Sequence, residues 1–237
     1  MKLIQPNCRV QFTAADIDFV ISVFGSKIDS NECLVKLLAD PDTRDEILDD
    51  ELIFRALLER NGFLNVSSHF YFYILVRHVF RQAGIDDREV ADYVSEMLAE
   101  FSKTERARCP LPNQSPMDYL FEMLIALQKA DDSTQFQLRT HLGNHSLFLS
   151  GIFIERIHYR AQYRGAPDVD YYETLGRSSF RVARDHRLAQ KYELALVLDK
   201  LSDQFHDIRL ALNDMSDRII SLGDREDLIN KMLRSET

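Results

Sequence analysis

LALVLDKLSDQFHDIRLALNDMSDRIISL, residues 194–222, decides the fold class of this chain. Leu194, Leu198, Leu201, Phe205, Ile208, Leu212, Met215, Ile219 and Leu222 alternate spacings of four and three, and only helix geometry keeps such a row on one face. Neither Pro nor Gly occurs from Arg177 through Leu222, so the pattern predicts one continuous C-terminal helix of about 35 residues, on the order of 50 Å long. The positions flanking the row are Ala195, Val197, Ser202, Gln204, Arg209, Ala211, Ser216 and Arg218. They are small or uncharged more often than paired charges, so the apolar face is wider than a two-stranded zipper needs. Packing within the molecule is therefore favoured over self-association along this seam.

The same periodicity continues outward from this stretch. Thr13 and Asp16 form a capping-box pattern ahead of Ile17, Val20, Ile21 and Phe24, with a stop at Gly25. Ser30 can cap a second segment, and the pattern resumes after Asp40-Pro41-Asp42 until Asn61-Gly62. Ser67 or Ser68 opens an aromatic helix ending at Gly84, and Asp86 or Asp87 caps another with Val90, Val94, Met97, Leu98 and Phe101 inward. Residues 103–116 hold three prolines and no apolar period, which marks a connection between an N-terminal half, 1–102, and a C-terminal half, 117–237. Beyond it, one helix ends before Asp131-Asp132 and the next is expected to stop at Gly143-Asn144. The run SLFLSGIFI that follows is apolar on nearly every side and should be enclosed. Gly165-Ala166-Pro167 closes the next segment, Asp168 caps a further helix, and residues 225–233 form a short last one. The expectation is an all-α multi-helix bundle of about ten helices, braced by the long heptad-patterned helix.

Composition narrows function mainly by exclusion. The chain of 237 residues carries a net charge of −9, which argues against nucleic acid and anionic membrane as partners. Its greasy runs fall short of the ~20 apolar residues a bilayer span requires. Cys8, Cys33 and Cys109 are an odd count without metal-ligand spacing, so neither a disulfide framework nor a structural metal is expected. Without an apolar leader at MKLIQPNCRVQF, the reading is a cytoplasmic protein.

YILVRHVF at 73–80, HLGNHSLFLSGIF at 141–153, VDYYETLGRSSF at 169–180 and ALNDMSDR at 211–218 are together similar to an uncharacterised bacterial family of all-helical proteins. The resemblance spans about residues 73–218. It implies a bacterial, cytoplasmic protein and carries no activity, ligand or site residue.

The segment ERIHYRAQYRG carries the strongest site signal. Arg156, Arg160 and Arg164 recur every fourth residue, with Tyr159 and Tyr163 between them and His158 beside them. An arginine stripe with an aromatic ledge can hold a phosphate or carboxylate and stack a ring, unless acids elsewhere in the chain neutralise it. Glu155-x-x-His158 and Asp203-x-x-His206 have the spacing of helical metal ligands. With 38 acids in the chain such pairs arise by coincidence, and no metal or other cofactor is assigned. The acidic run from Asp40 to Glu51 places Arg44 and Asp45 where a calcium loop needs an oxygen ligand and a glycine, so it reads as helix-start chemistry. His141 and His145 are four apart but straddle Gly143-Asn144 and lack an HExxH pattern. Nucleotide-loop and nucleophile-elbow signatures are absent.

The functional expectation is a non-enzymatic, cytoplasmic interaction or regulatory protein that engages a protein partner or itself. The alternative is a binding protein or enzyme for a small anionic or aromatic ligand held by the Arg156/Arg160/Arg164 stripe.

Overall fold

The computed structural model describes residues 3–24, 36–59, 66–103 and 120–221. Among them are twelve α-helices and one 3-10 turn, Cys8–Gln11, with no strand. The all-α expectation holds. In chain order the helices are α1 (Ala14–Phe24), α2 (Pro41–Leu48), α3 (Glu51–Glu59), α4 (Ser68–Gln82), α5 (Arg88–Phe101), α6 (Leu120–Lys129), α7 (Asp132–Ile152), α8 (Ile154–Arg164), α9 (Val169–Arg184), α10 (Arg187–Lys191), α11 (Ala195–Asp203) and α12 (Phe205–Ser221). The stops expected at Gly25 and Asn61-Gly62, the Ser30 cap, the connection beyond Lys103 and the helix at 225–233 lie outside the described residues.

Local chemistry starts and stops these helices as their sequences anticipate. Asp16 Oδ2 accepts from the Thr13 amide at 2.6 Å, closing a capping box at α1. Asp16 also accepts from the amide and hydroxyl of Ser67, whose own oxygen caps α4, so one buried carboxylate ties two helix N-termini together. Asp40, Asp87, Asp131 and Asp168 cap α2, α5, α7 and α9 with side-chain oxygens. Gly84 and Gly165 take the left-handed conformation, φ 78° and 60°, that ends α4 and α8 at low steric cost.

The main core joins side chains from residues 4–101 to others from 136–215. Helix α7 lies at the centre of the second half, packed by α6, α8, α9 and α12. The enclosed run around Ser146–Gly151 is part of it, as expected. The helix does not stop at Gly143-Asn144, however; α7 continues unbroken to Ile152. Gly143 faces the Phe180 ring of α9, and a Cβ there would stand 2.5 Å from Phe180 Cε1. Gly176 of α9 meets the Phe205 ring in the same way, and a Cβ on Gly151 would lie 2.9 Å from Cβ of Leu212 on α12. These glycines are sites of close helix approach rather than terminators.

The C-terminal row also differs from expectation. Leu194, Leu198, Leu201, Phe205, Ile208, Leu212 and Met215 are all buried, but Leu194 precedes α11 and the others are shared between two helices, α11 and α12, meeting at Gln204 with φ −95° and ψ 14°. The Ser202 carbonyl, which a continuous helix would give to the amide of residue 206, accepts from Arg177 Nε of α9 at 3.2 Å. A side chain inserted into the backbone ladder bends a helix without Pro or Gly. The Gln204 amide still bonds Lys200 and the Ile208 amide bonds Gln204, so the apolar spacing survives the bend. Helix α11 then packs on α9 and α5, and α12 on α7 and α4.

Charged side chains tie the first half together. Buried Arg77 forms a two-pronged pair with Asp49 at 2.8 and 3.0 Å and a second pair with Asp86. Arg88 bridges Asp49 to Asp45, and Arg9 bridges Asp45 to Asp92. Lys200 of α11 pairs with Asp87 at 2.7 Å, linking the two halves.

Two predictions follow from this packing. Gly143→Ala and Gly176→Ala each raise intrinsic helix propensity, yet overpacking against a buried ring costs ~1–3 kcal/mol. The expected result is a lower melting temperature by several degrees in a calorimetric scan; a rise for both variants would contradict the close approach. For Asp87, burial raises the carboxyl, but hydrogen bonds from Lys200 and from the Val90 and Glu89 amides outweigh it and hold the group below its ordinary 3.8. Its contribution is thus present above that value and lost as pH falls through the lower folded value. Asp87→Asn, which keeps the cap but loses the charge, should flatten the acid limb of stability measured by urea midpoints below about pH 4.

Candidate functional sites: an exposed arginine face and a buried imidazole–carboxylate cluster

Helix α8 positions the residues of the arginine stripe. Ile157 is buried and anchors the helix, which contacts α7 and α9. Residues 156, 160 and 164 lie one above another on a helix by their four-residue spacing. Tyr159 and Tyr163 stand 55% and 66% exposed with ring centroids 5.0 Å apart, forming an aromatic ledge on the solvent side. Arg164 and His158 are exposed, and Arg156 and Arg160 are half-buried.

Eleven of the sixteen arginines among the described residues pair with carboxylates, and Arg44 and Arg139, like Arg160 and Arg164, have no such pair among those residues. Arg9, Arg55, Arg77, Arg81, Arg88, Arg177, Arg181, Arg184, Arg187, Arg209 and Arg218 each pair with a carboxylate. Arg160 and Arg164 lie within ion-pair distance of no carboxylate among the described residues. Exposed Arg164 and half-buried Arg160 thus carry positive charge without a carboxylate partner among the described residues, on a chain whose net charge is −9. Beside them, at the C-terminal end of α8, Ala161, Gly165, Ala166, Pro167, Asp168 and Tyr171 line a shallow hollow of about 490 Å³. None of the three arginines lines that hollow.

The spaced acid–histidine pairs do not converge. Glu155 and His158 are exposed on α8, and His206 Nδ1 lies 3.1 Å from Glu173 rather than joining Asp203. Glu173 itself is pushed up by burial and, more strongly in sum, held below its usual value by His206 and Arg209. Asp40 caps α2 as helix-start chemistry implies. His141 and His145 sit one turn apart on unbroken α7, with ring centroids 5.9 Å apart.

A different set does converge. His69 in the first turn of α4 meets Glu96 and Glu100, one turn apart on α5, and one donor atom from each lies within 4.8 Å of the other two. Glu96 is 0% exposed and Glu100 2%. Nε2 of His69 is 3.3 Å from Glu96 Oε2, and Lys103 Nζ is 3.0 Å from Glu100 Oε1. Asp92 stands one turn before Glu96 on the same helix face; burial raises its carboxyl despite the Arg9 amide and guanidinium. Behind His69, Cys8 Sγ donates to its carbonyl at 3.3 Å, and burial, then Asp92 and Glu96, push the thiol far up.

Periodicity misses this cluster because it assigns α5 one apolar face, through Val90, Val94, Met97, Leu98 and Phe101. The structure buries every residue of that helix from Val90 to Phe101, since the turn Cys8–Gln11 and helix α4 pack on it. Glu96 and Glu100 therefore point into protein, where a sequence reading leaves them in water. The only signal available in the sequence is their i, i+4 spacing, which is not distinctive in so acidic a chain.

No family model, curated protein or solved structure matches the chain. No helix among the described residues is long and apolar enough to cross a membrane.

The Cys8 environment makes a direct prediction. A thiol buried among carboxylates is kept protonated and inert. Iodoacetamide, followed by peptide mass spectrometry, should leave Cys8 unmodified in native protein and modify it once denaturant is added. Rapid native alkylation would contradict the packing of the Cys8–Gln11 turn.

Proposed function

We propose that this protein is a non-enzymatic interaction module whose α8 face holds an acidic segment of a protein partner. The observation that carries the reading is the pair Arg160 and Arg164, left without carboxylate partners among the described residues of an acidic protein. Tyr159 and Tyr163 support it, since exposed aromatic rings beside arginines are the side chains that dominate interface energetics. A small-ligand site on the same face has less support. The arginines lie along an open helix surface, and the adjoining hollow is shallow and presents Asp168, whereas ligand pockets enclose most of their ligand.

The test uses a fluorescein-labelled oligo-glutamate peptide and an oligo-glutamine control in anisotropy titrations. The glutamate peptide should bind, weaken as salt is raised, and bind at least about tenfold more weakly to the R160E/R164E variant, as loss and reversal of two charge pairs implies. Arg164 is exposed, and Arg160 is half-buried without a carboxylate partner among the described residues, so the melting temperature should change little. Absence of salt-sensitive binding, or equal binding by R160E/R164E, rejects the proposal.

A further inference from the structure

We infer that His69, Glu96 and Glu100 bind a divalent first-row metal ion such as Zn²⁺, Mn²⁺ or Fe²⁺. The donor set is one imidazole and two carboxylates, the nitrogen and oxygen chemistry those ions take, and it contains no thiolate to select a softer metal.

The distances suit an ion. Two ligands held roughly 2.0–2.2 Å from a four-coordinate centre stand about 3.3–3.5 Å apart, and His69 Nε2 is 3.3 Å from Glu96 Oε2. The third donor lies within the same 4.8 Å sphere, so a small rotamer adjustment closes the set. The elements that hold these side chains are rigid: His69 follows the Ser67 cap of α4, and Glu96 and Glu100 project from one face of the fully packed α5. The His69 side chain is 15% exposed, which gives an ion a path from solvent and leaves room for a water ligand.

Electrostatics favour a cation at the same place. Asp92, Glu96 and Glu100 form a stack of three buried carboxylates along α5. Arg9 pairs with Asp92 at one end and Lys103 with Glu100 at the other, and His69 stands against Glu96. Burying adjacent carboxylates is costly unless positive charge is shared among them. A divalent ion bridging Glu96 and Glu100 would add positive charge there, with His69 coordinating in its neutral form.

The experiment titrates chelator-stripped full-length protein with Co²⁺, followed by visible absorption and calorimetry. One equivalent should bind, with a rise in melting temperature and tighter binding at higher pH as proton competition falls. Glu96→Gln and Glu100→Gln should each weaken binding at least about 100-fold, since loss of a mere supporting residue already costs 10–100-fold. If either variant fails to fold, the wild type decides alone: paramagnetic Co²⁺ must shift the ring protons of His69 more than those of the other histidines. Failure to bind one equivalent, equal binding by both folded variants, or shifts centred on His141 and His145 overturns the assignment. None of these outcomes bears on α8, so this site and the arginine face stand or fall separately.

Discussion

The close approach of α7 to its neighbours is the constraint on which the second half depends. A helix whose middle turns are apolar on every side is stable only if other helices enclose it. Helices separate by 8–10 Å according to the side chains between them, and at Gly143 and Gly151 there are none. Phe180 and Leu212 fill those positions from the opposite side, so α9 and α12 settle directly onto the α7 backbone. Gly176 repeats the device one layer out, receiving Phe205. Phe205 is also the first residue of α12, which places the bend of the C-terminal row beside the close approach at Gly176.

Charge is arranged differently in the first half and on α8. The first half buries carboxylates and matches them with arginines: Asp49 with Arg77 and Arg88, Asp45 and Asp92 with Arg9. Such pairs add little net stability but impose geometry, because removing one partner strands the other in a low-dielectric interior. The Cys8–Gln11 turn is thereby fixed against α4 and α5, and its cover turns Glu96 and Glu100 into buried groups facing His69. On α8, Arg164 is exposed beside two exposed tyrosines, and half-buried Arg160 has no carboxylate partner among the described residues. The first half thus gathers His69, Glu96 and Glu100 in its interior, and α8 carries Arg164 and two tyrosines at the surface.

Legibility in the sequence tracked how local each determinant is. Thr13 with Asp16, Ser67, Asp87, Asp168, Gly84 and Gly165 act on amides and carbonyls within a turn of themselves, and each was readable as a cap or a stop. The Arg156–Arg164 stripe was readable because helical spacing alone sets it. Gly143 was misread as a terminator because glycine serves two purposes, and the one that applies depends on whether Phe180, distant in sequence, presses on it. The bend at Gln204 was invisible for the same reason, since its cause is the Arg177 side chain reaching the Ser202 carbonyl.

What the sequence by itself determined is the helical class, the apolar row from Leu194 to Met215, and the register of the side chains along each helix. Periodicity is a property of the chain, and it survives even where the helix axis bends. Tertiary structure alone decided which polar residues are buried, which arginines find carboxylates, and that His69 meets Glu96 and Glu100. Those outcomes depend on contacts between segments far apart in sequence, where the cost of a buried charge is set by what packs over it rather than by its neighbours along the chain.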